Sequence, residues 1–212
     1  IRDFRKEHPN INILYTRLPY ESYERDAVNA LAAGTGPDIW MIHNTWLPKH
    51  ASKLQPMPRQ NPSLMTLKEY RETFVDVAYN DLVRDGAIYG MPLYADTLAL
   101  YYNKDLFNSA GISRPPVSWD DFNSDVKLLT KLDSNGNISK SGAAIGSARN
   151  INRSPDILAA LMIQSGVQMV SDDNSEATFS RSVDSKPVGE VALQYYTDFT
   201  NPTKETYTWN DN

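Results

Sequence analysis

The stretch that most constrains this chain is Ile88–Phe107, IYGMPLYADTLALYYNKDLF, in which apolar and aromatic residues flank a single acid, Asp96. Gly90 and Pro92 open the run and Thr97–Asn103 has the composition of a strand. The run therefore reads as one buried connection, and a carboxylate inside it costs several kcal/mol unless it is paired, hydrogen-bonded or facing a wet cleft. Two readings stay open from these residues alone: Asp96 serves a site, or it caps the start of the strand at a surface turn.

The 212 residues allow one large domain or two lobes of about 100 residues each. Hydrophobic residues make up 41% and charged residues 22%, the balance of an ordinary globular protein. The formal charge is −5 and the basic residues are scattered singly, which argues against nucleic acid as a partner. Cysteine is absent, so disulfides, thiolate metal sites and thiol nucleophiles are excluded together. The longest apolar run, Ile157–Ile163, is far shorter than the roughly 20 residues that cross a bilayer. The opening IRDFRKEHPN reads as the end of an amphipathic helix, and TYTWNDN stops without a closing element; the chain is expected to be a piece of something larger.

Along the chain the signals alternate. A strand is expected at Ile11–Thr16, a helix at Tyr20–Ala33 ended by Gly34, a strand at Asp38–His43, and a short helix near Thr45 capped by Asn44. A Pro-rich surface connection, Gln55–Pro62, leads to a long helix over Ser63–Asp85, broken at most once. After the opening feature come a helix at Lys104–Ala110 stopped by Gly111, a helix begun by Ser118 and lasting to about Leu132, and a hairpin turn at Asp133–Asn137 built on Asn-Gly. A strand over Ser141–Gly146, a helix opened by Ser154 and Pro155, a loop or hairpin over Val167–Ser180, and a helix over Pro187–Phe199 with Tyr195 and Tyr196 inward complete the pattern. Helix and strand in alternation predict an α/β fold.

Catalytic signatures are missing: no G-x-S-x-G, no phosphate-binding loop and no H-E-x-x-H. His8, His43 and His50 lack metal spacing and read as surface or supporting residues. Asp133–Asn137 has its glycine in the wrong place for a calcium loop, so no metal is expected. Asp172 and Asp173 read as solvated. Trp40 and Trp119 are assigned to packing. What remains is a set of aromatic and amide residues at element ends: Asn44, Trp46, Tyr94, Asp96, Asn150 and Trp209. Such groups suit sugars, because an aromatic face packs on the apolar side of a pyranose while carboxylates and amides take hydrogen bonds from its hydroxyls. For Trp46, Tyr94 and Trp209 a plain core role stays open.

Four blocks carry a family resemblance: AAGTGPDIWMIHNTWLPKHA (Ala32–Ala51), YGMPLYADTLALYYNKDLF (Tyr89–Phe107), PVSWDDFNSDVKLLT (Pro116–Thr130) and YTDFTNPTKETYTW (Tyr196–Trp209). Together they resemble the extracellular solute-binding proteins of ABC importers, in the carbohydrate-binding cluster that includes maltose-binding protein. The resemblance implies a periplasmic-binding-protein-like fold of two lobes, truncated at both ends: residues 1–93 in the first lobe, 94–96 as a hinge crossing, and 97–212 in the second. It implies a ligand-hydroxyl contact at Asp96, an aromatic presented to sugar by the GPDIW…NTW block, and, more weakly, a contact at Asn150. It further implies a monomeric, extracytoplasmic receptor with no cofactor and no catalysis, a carbohydrate ligand, permease subunits as partners, and a lipid anchor outside these residues. The alternatives are a glycosidase pairing Asp96 with a second acid, or a peptide receptor of the same architecture using Arg149.

Overall fold

The computed structural model describes residues 1–59, 61, 64–172 and 175–210; Pro62, Ser63, Asp173 and Asn212, which bound or fall within segments discussed above, lie outside the described residues. The chain divides into two compact units, Ile1–Ala95 and Asp96–Asn212.

The first unit opens with α1 (Arg2–Glu7), then α2 (Tyr23–Ala32), entered through a 3-10 turn at Tyr20–Ser22, and α3 (Leu47–His50), entered through a second one at Asn44–Trp46. His43, not Asn44, caps that turn, its imidazole accepting from the Thr45 N–H. The expected helix over Ser63–Asp85 is two helices and a strand: α4 (Leu67–Thr73), α5 (Asp76–Leu82) and β1 (Val83–Arg84). Thr66 starts α4 with a reciprocal capping box, its hydroxyl accepting from the Glu69 N–H while Glu69 takes the Thr66 N–H. The helical pattern stops early because Asp85 and Gly86 both adopt positive φ, 51° and 67°, the pattern of a type I′ hairpin turn. That turn pairs β1 with β2 (Ala87–Ile88), Val83 opposite Ile88. Around it Tyr70, Ala78 and Ile88 form a small core, in which Tyr70 is fully buried and donates its hydroxyl to the Gly90 carbonyl at 3.0 Å.

The second unit contains α6 (Lys104–Ser109), capped by the Asn103 side chain, and α7 (Trp119–Leu129), capped by Ser118. A hairpin of β3 (Lys131–Leu132) and β4 (Ile138–Lys140) follows, turning on Asn135-Gly136 with Gly136 at φ 81°. Asp133 accepts from the Asn135 and Asn137 N–H groups, each at 2.8 Å, so its carboxylate closes the turn. The last helices are α8 (Ser154–Gln164) and α9 (Val188–Asp198). Val126 of α7, Leu161 and Met162 of α8, and Ala192 and Tyr196 of α9 meet in the main core with Phe199. Burying a side chain such as Val126, 1% exposed, contributes about 1.5–3 kcal/mol. Trp119 fastens α7 to α8 through its indole N–H, which donates to Gln164 at 2.9 Å.

The expected strands at Ile11–Thr16, Asp38–His43, Thr97–Asn103 and Ser141–Gly146 are not formed among the described residues; the β-pairing there consists of the two short hairpins and isolated antiparallel bridges at Val170–Ala177 and Val183–Lys186. A strand exists only through a ladder with a second backbone, and apolar alternation does not supply one. The opening feature changes accordingly. Leu93, Tyr94, Leu98, Leu100 and Tyr101 are all more than half exposed, so the segment is not a buried connection.

Candidate functional site

In the first unit the Asn44–Trp46 turn sits in an aromatic cluster. Trp46, half-buried, stacks on Tyr23 with ring centroids 6.0 Å apart and meets His50 edge-on at 6.3 Å, with Trp40 6.2 Å away. Tyr23 holds the cluster to the loop by donating its hydroxyl to the Met41 carbonyl at 2.7 Å. Asn44, itself exposed, donates its side-chain amide to Asp81 of α5 at 2.7 Å.

Of the two readings open for His50, surface or supporting residue, the structure has the second: it is buried against this cluster. Its Nε2 lies 2.7 Å from Glu24 and its Nδ1 3.2 Å from Lys53, so the tautomer with the proton on Nε2 satisfies both. Lys49 reaches the same Glu24 oxygen at 2.5 Å. These two hydrogen-bond donors, Lys49 foremost, hold the Glu24 carboxyl below its ordinary value. The seven-residue spacing of His43 and His50 carried no sign of this arrangement, because Glu24 comes from a different helix.

In the second unit Asp96 is exposed, with 72% of its side chain open to solvent, which removes the desolvation argument made from its sequence context. Its partner is Arg153, 3.6 Å away, which also reaches Asp156 at 3.2 Å. Tyr94 is 75% exposed.

Asn150 and Trp209 are brought together. Both line a cavity of about 240 Å³ whose wall also includes Ser141, Ala144, Ile151 and Thr208. Asn150 accepts the Ser147 N–H through its side-chain oxygen at 2.9 Å, which assigns its amide orientation and leaves the NH₂ to meet other groups. The loop carrying it is anchored by Tyr196, whose buried hydroxyl donates to the Gly146 carbonyl at 2.6 Å. Trp209 packs against the main core, and its indole N–H is shut away from solvent without a hydrogen-bond partner. Trp209 therefore offers the cavity a carbon surface rather than a donor.

No group of acidic or histidine side chains that could hold a metal occurs among the described residues. No helix there is long and apolar enough to cross a membrane.

The whole of residues 1–212 matches the profile of the bacterial extracellular solute-binding proteins, and the chain belongs to that family. It is 31% identical over 129 residues to a protein of Brucella abortus named as a binding protein, a match covering 61% of this chain and 31% of that one. Over 78 residues it is 49% identical to the maltodextrin-binding protein MdxE of Bacillus subtilis, covering 37% of this chain and 17% of the relative. The crystal structure of the cyclic alpha-maltosyl-1,6-maltose binding protein from Arthrobacter globiformis superposes with a TM-score of 0.73 at 22% identity, over 95% of this chain and 49% of that one. The fold is thus the periplasmic-binding-protein-like one, and the chain spans about half the length of that solved relative.

Proposed function

We propose that this chain is part of an extracytoplasmic receptor that binds a sugar or oligosaccharide and delivers it to the permease of an ABC transporter, with no catalysis of its own. The observation that carries the reading is the cavity walled by Trp209 and Asn150, an aromatic carbon surface beside a side-chain amide, in a chain 49% identical over its matched stretch to a maltodextrin-binding protein. An apolar ring face and an amide are complementary to the two sides of a pyranose.

Asn44 and Trp46 in the first unit, and Tyr94 and Asp96 near the boundary, belong to the same reading as further ligand contacts. So do the assignment of residues 1–93 and 97–212 to two lobes joined through 94–96, a monomeric state, and a lipid anchor in the full-length protein. Closure on ligand would be stabilised by contacts made only in the shut form. Micromolar affinity corresponds to about 8 kcal/mol, within reach of stacking plus a handful of hydrogen bonds after ordering costs.

Calorimetry on the full-length protein against a panel of oligosaccharides tests the proposal. Saturable binding of at least one sugar is expected. Binding of a peptide or a metal chelate with no sugar bound would overturn the carbohydrate assignment.

A further inference from the structure

Thr208 precedes Trp209 at the end of the Tyr196–Trp209 block and is completely buried. Its hydroxyl oxygen accepts the Gly142 N–H at 2.7 Å and lies 2.8 Å from the Thr130 hydroxyl, which itself donates to the Val126 carbonyl at 2.7 Å. Each hydroxyl has one proton, so with Thr130 giving its own to Val126 the proton shared between the two threonines is that of Thr208, whose oxygen also lies 3.2 Å from the Ser141 hydroxyl. Four groups from three parts of the unit are joined in one directional line, running from the loop after β4 through Thr208 to the last turn of α7. The Ser141 hydroxyl lies 2.6 Å from the Ala143 carbonyl and 2.8 Å from the Thr208 carbonyl, and the Thr208 N–H donates to the Phe199 carbonyl at 2.8 Å.

Gly142 supplies a second, independent sign that this approach is built. A Cβ there would stand 2.6 Å from the Val126 carbonyl oxygen and 2.7 Å from the Thr130 hydroxyl, closer than any side chain tolerates. The loop comes this near to α7 only because residue 142 has no side chain. Ser141, on one side of the line, and Trp209, on the other, both face the cavity described above.

We infer that Thr208 is the positioning residue of this cavity: its hydroxyl line sets the backbone from which Trp209 and Ser141 meet the ligand. The inference rests on the sugar-receptor reading for its effect on affinity, but the placement of Trp209 can be measured without any ligand. Thr208→Val keeps the shape and removes the line, whereas Thr208→Ser keeps the line.

The experiment uses the full-length protein labelled with 5-fluorotryptophan, the Trp209 resonance being assigned by Trp209→Phe. In Thr208→Val the Trp209 line shifts or broadens, and maltodextrin affinity by calorimetry falls about tenfold or more; in Thr208→Ser the line stays and affinity holds within about twofold. A merely structural loss would lower the thermal midpoint of Thr208→Val while leaving the Trp209 resonance of the folded protein where it was. Should Thr208→Val fail to fold, Thr130→Val breaks the same line one step further on and must move the Trp209 resonance in its place. An unmoved resonance in the folded valine variant overturns the inference. If the parent protein binds no maltodextrin, that result bears on the sugar reading alone, and the fluorine spectrum still decides the role of Thr208.

Discussion

One guanidinium, that of Arg153, is shared between Asp96 at 3.6 Å and Asp156 at 3.2 Å at the start of α8. All three side chains are about half exposed or more, so the arrangement is a surface network, and water screens much of its attraction. Its importance lies in what it does to Asp96: the carboxylate has a cationic neighbour yet keeps most of its surface open to solvent.

Asp96→Asn therefore separates binding from stability. The thermal midpoint should move by no more than about 2 °C, as for other exposed pairs, while sugar affinity falls about tenfold through loss of a charge-assisted hydrogen bond. Differential scanning calorimetry and titration calorimetry read the two effects; a large drop in midpoint with unchanged affinity would return Asp96 to a purely structural role.

Tyr70 predicts an alkaline limb of unfolding. Burial raises its phenol from the ordinary 10.0 to about 12, because the phenolate cannot be solvated where the side chain sits. The unfolded chain loses this proton at the lower pH, so the contribution is complete below about 10 and is lost as pH rises from there through about 12. Tyr195 is raised to about 12 by the same cause, and its loss adds over the same range. Tyr70→Phe should flatten this limb and, by leaving the Gly90 carbonyl without its donor, cost about 1–3 kcal/mol at neutral pH. Urea denaturation as a function of pH checks both.

Ser118 gives a testable cap. Its hydroxyl accepts the Asp121 N–H at 3.1 Å at the start of α7, and Ser118→Ala should cost about 1 kcal/mol in urea denaturation. The Asp121 carboxyl, held below its ordinary value first by the Val117 N–H and then by Ser118, stabilises the folded state above the unfolded pKa. That contribution is lost as pH falls through the folded value, and Asp121→Asn should blunt the acid limb of the stability profile.

Gly142→Ala should destabilise the second unit by about 1–3 kcal/mol, since the added methyl meets the Val126 carbonyl and the loop must withdraw from α7. Gly111→Ala is the useful contrast: a Cβ there meets no neighbour, and the cost comes from its φ of 74° instead. Comparison of the crystal structures of the two variants, one with a displaced 141–143 loop and one without, distinguishes steric from conformational strain.

Much of the helical architecture was legible because its causes are local. Ser118 with Asp120 and Asp121, Asn135-Gly136, and Gly34, Gly111 and Gly166 after helices α2, α6 and α8 all act within a few residues of themselves. The Asp85-Gly86 turn was equally local, and its hairpin signal was overridden by the helical pattern running into it. The family blocks were legible too, and the profile match over residues 1–212 agrees with them.

The strands and the supporting residues were not. Thr97–Asn103 has a strand's composition, but a ladder requires a second backbone, and none pairs with it among the described residues. Asp96 then lies in the open, and its charge carries little of the desolvation cost that its neighbours in sequence suggested. Asn150 and Trp209, far apart in the chain, share a wall only because Tyr196 anchors one loop and Phe199 the other. What the sequence by itself determined is the course of helices such as α6, α7 and α9, the Ser118 cap, the Asn135-Gly136 turn and the family to which they belong. The tertiary structure alone decided that His50 is buried against Glu24, that Arg153 divides itself between two acids, and that Thr208 supports the cavity, because each of these depends on groups that meet only after the helices pack.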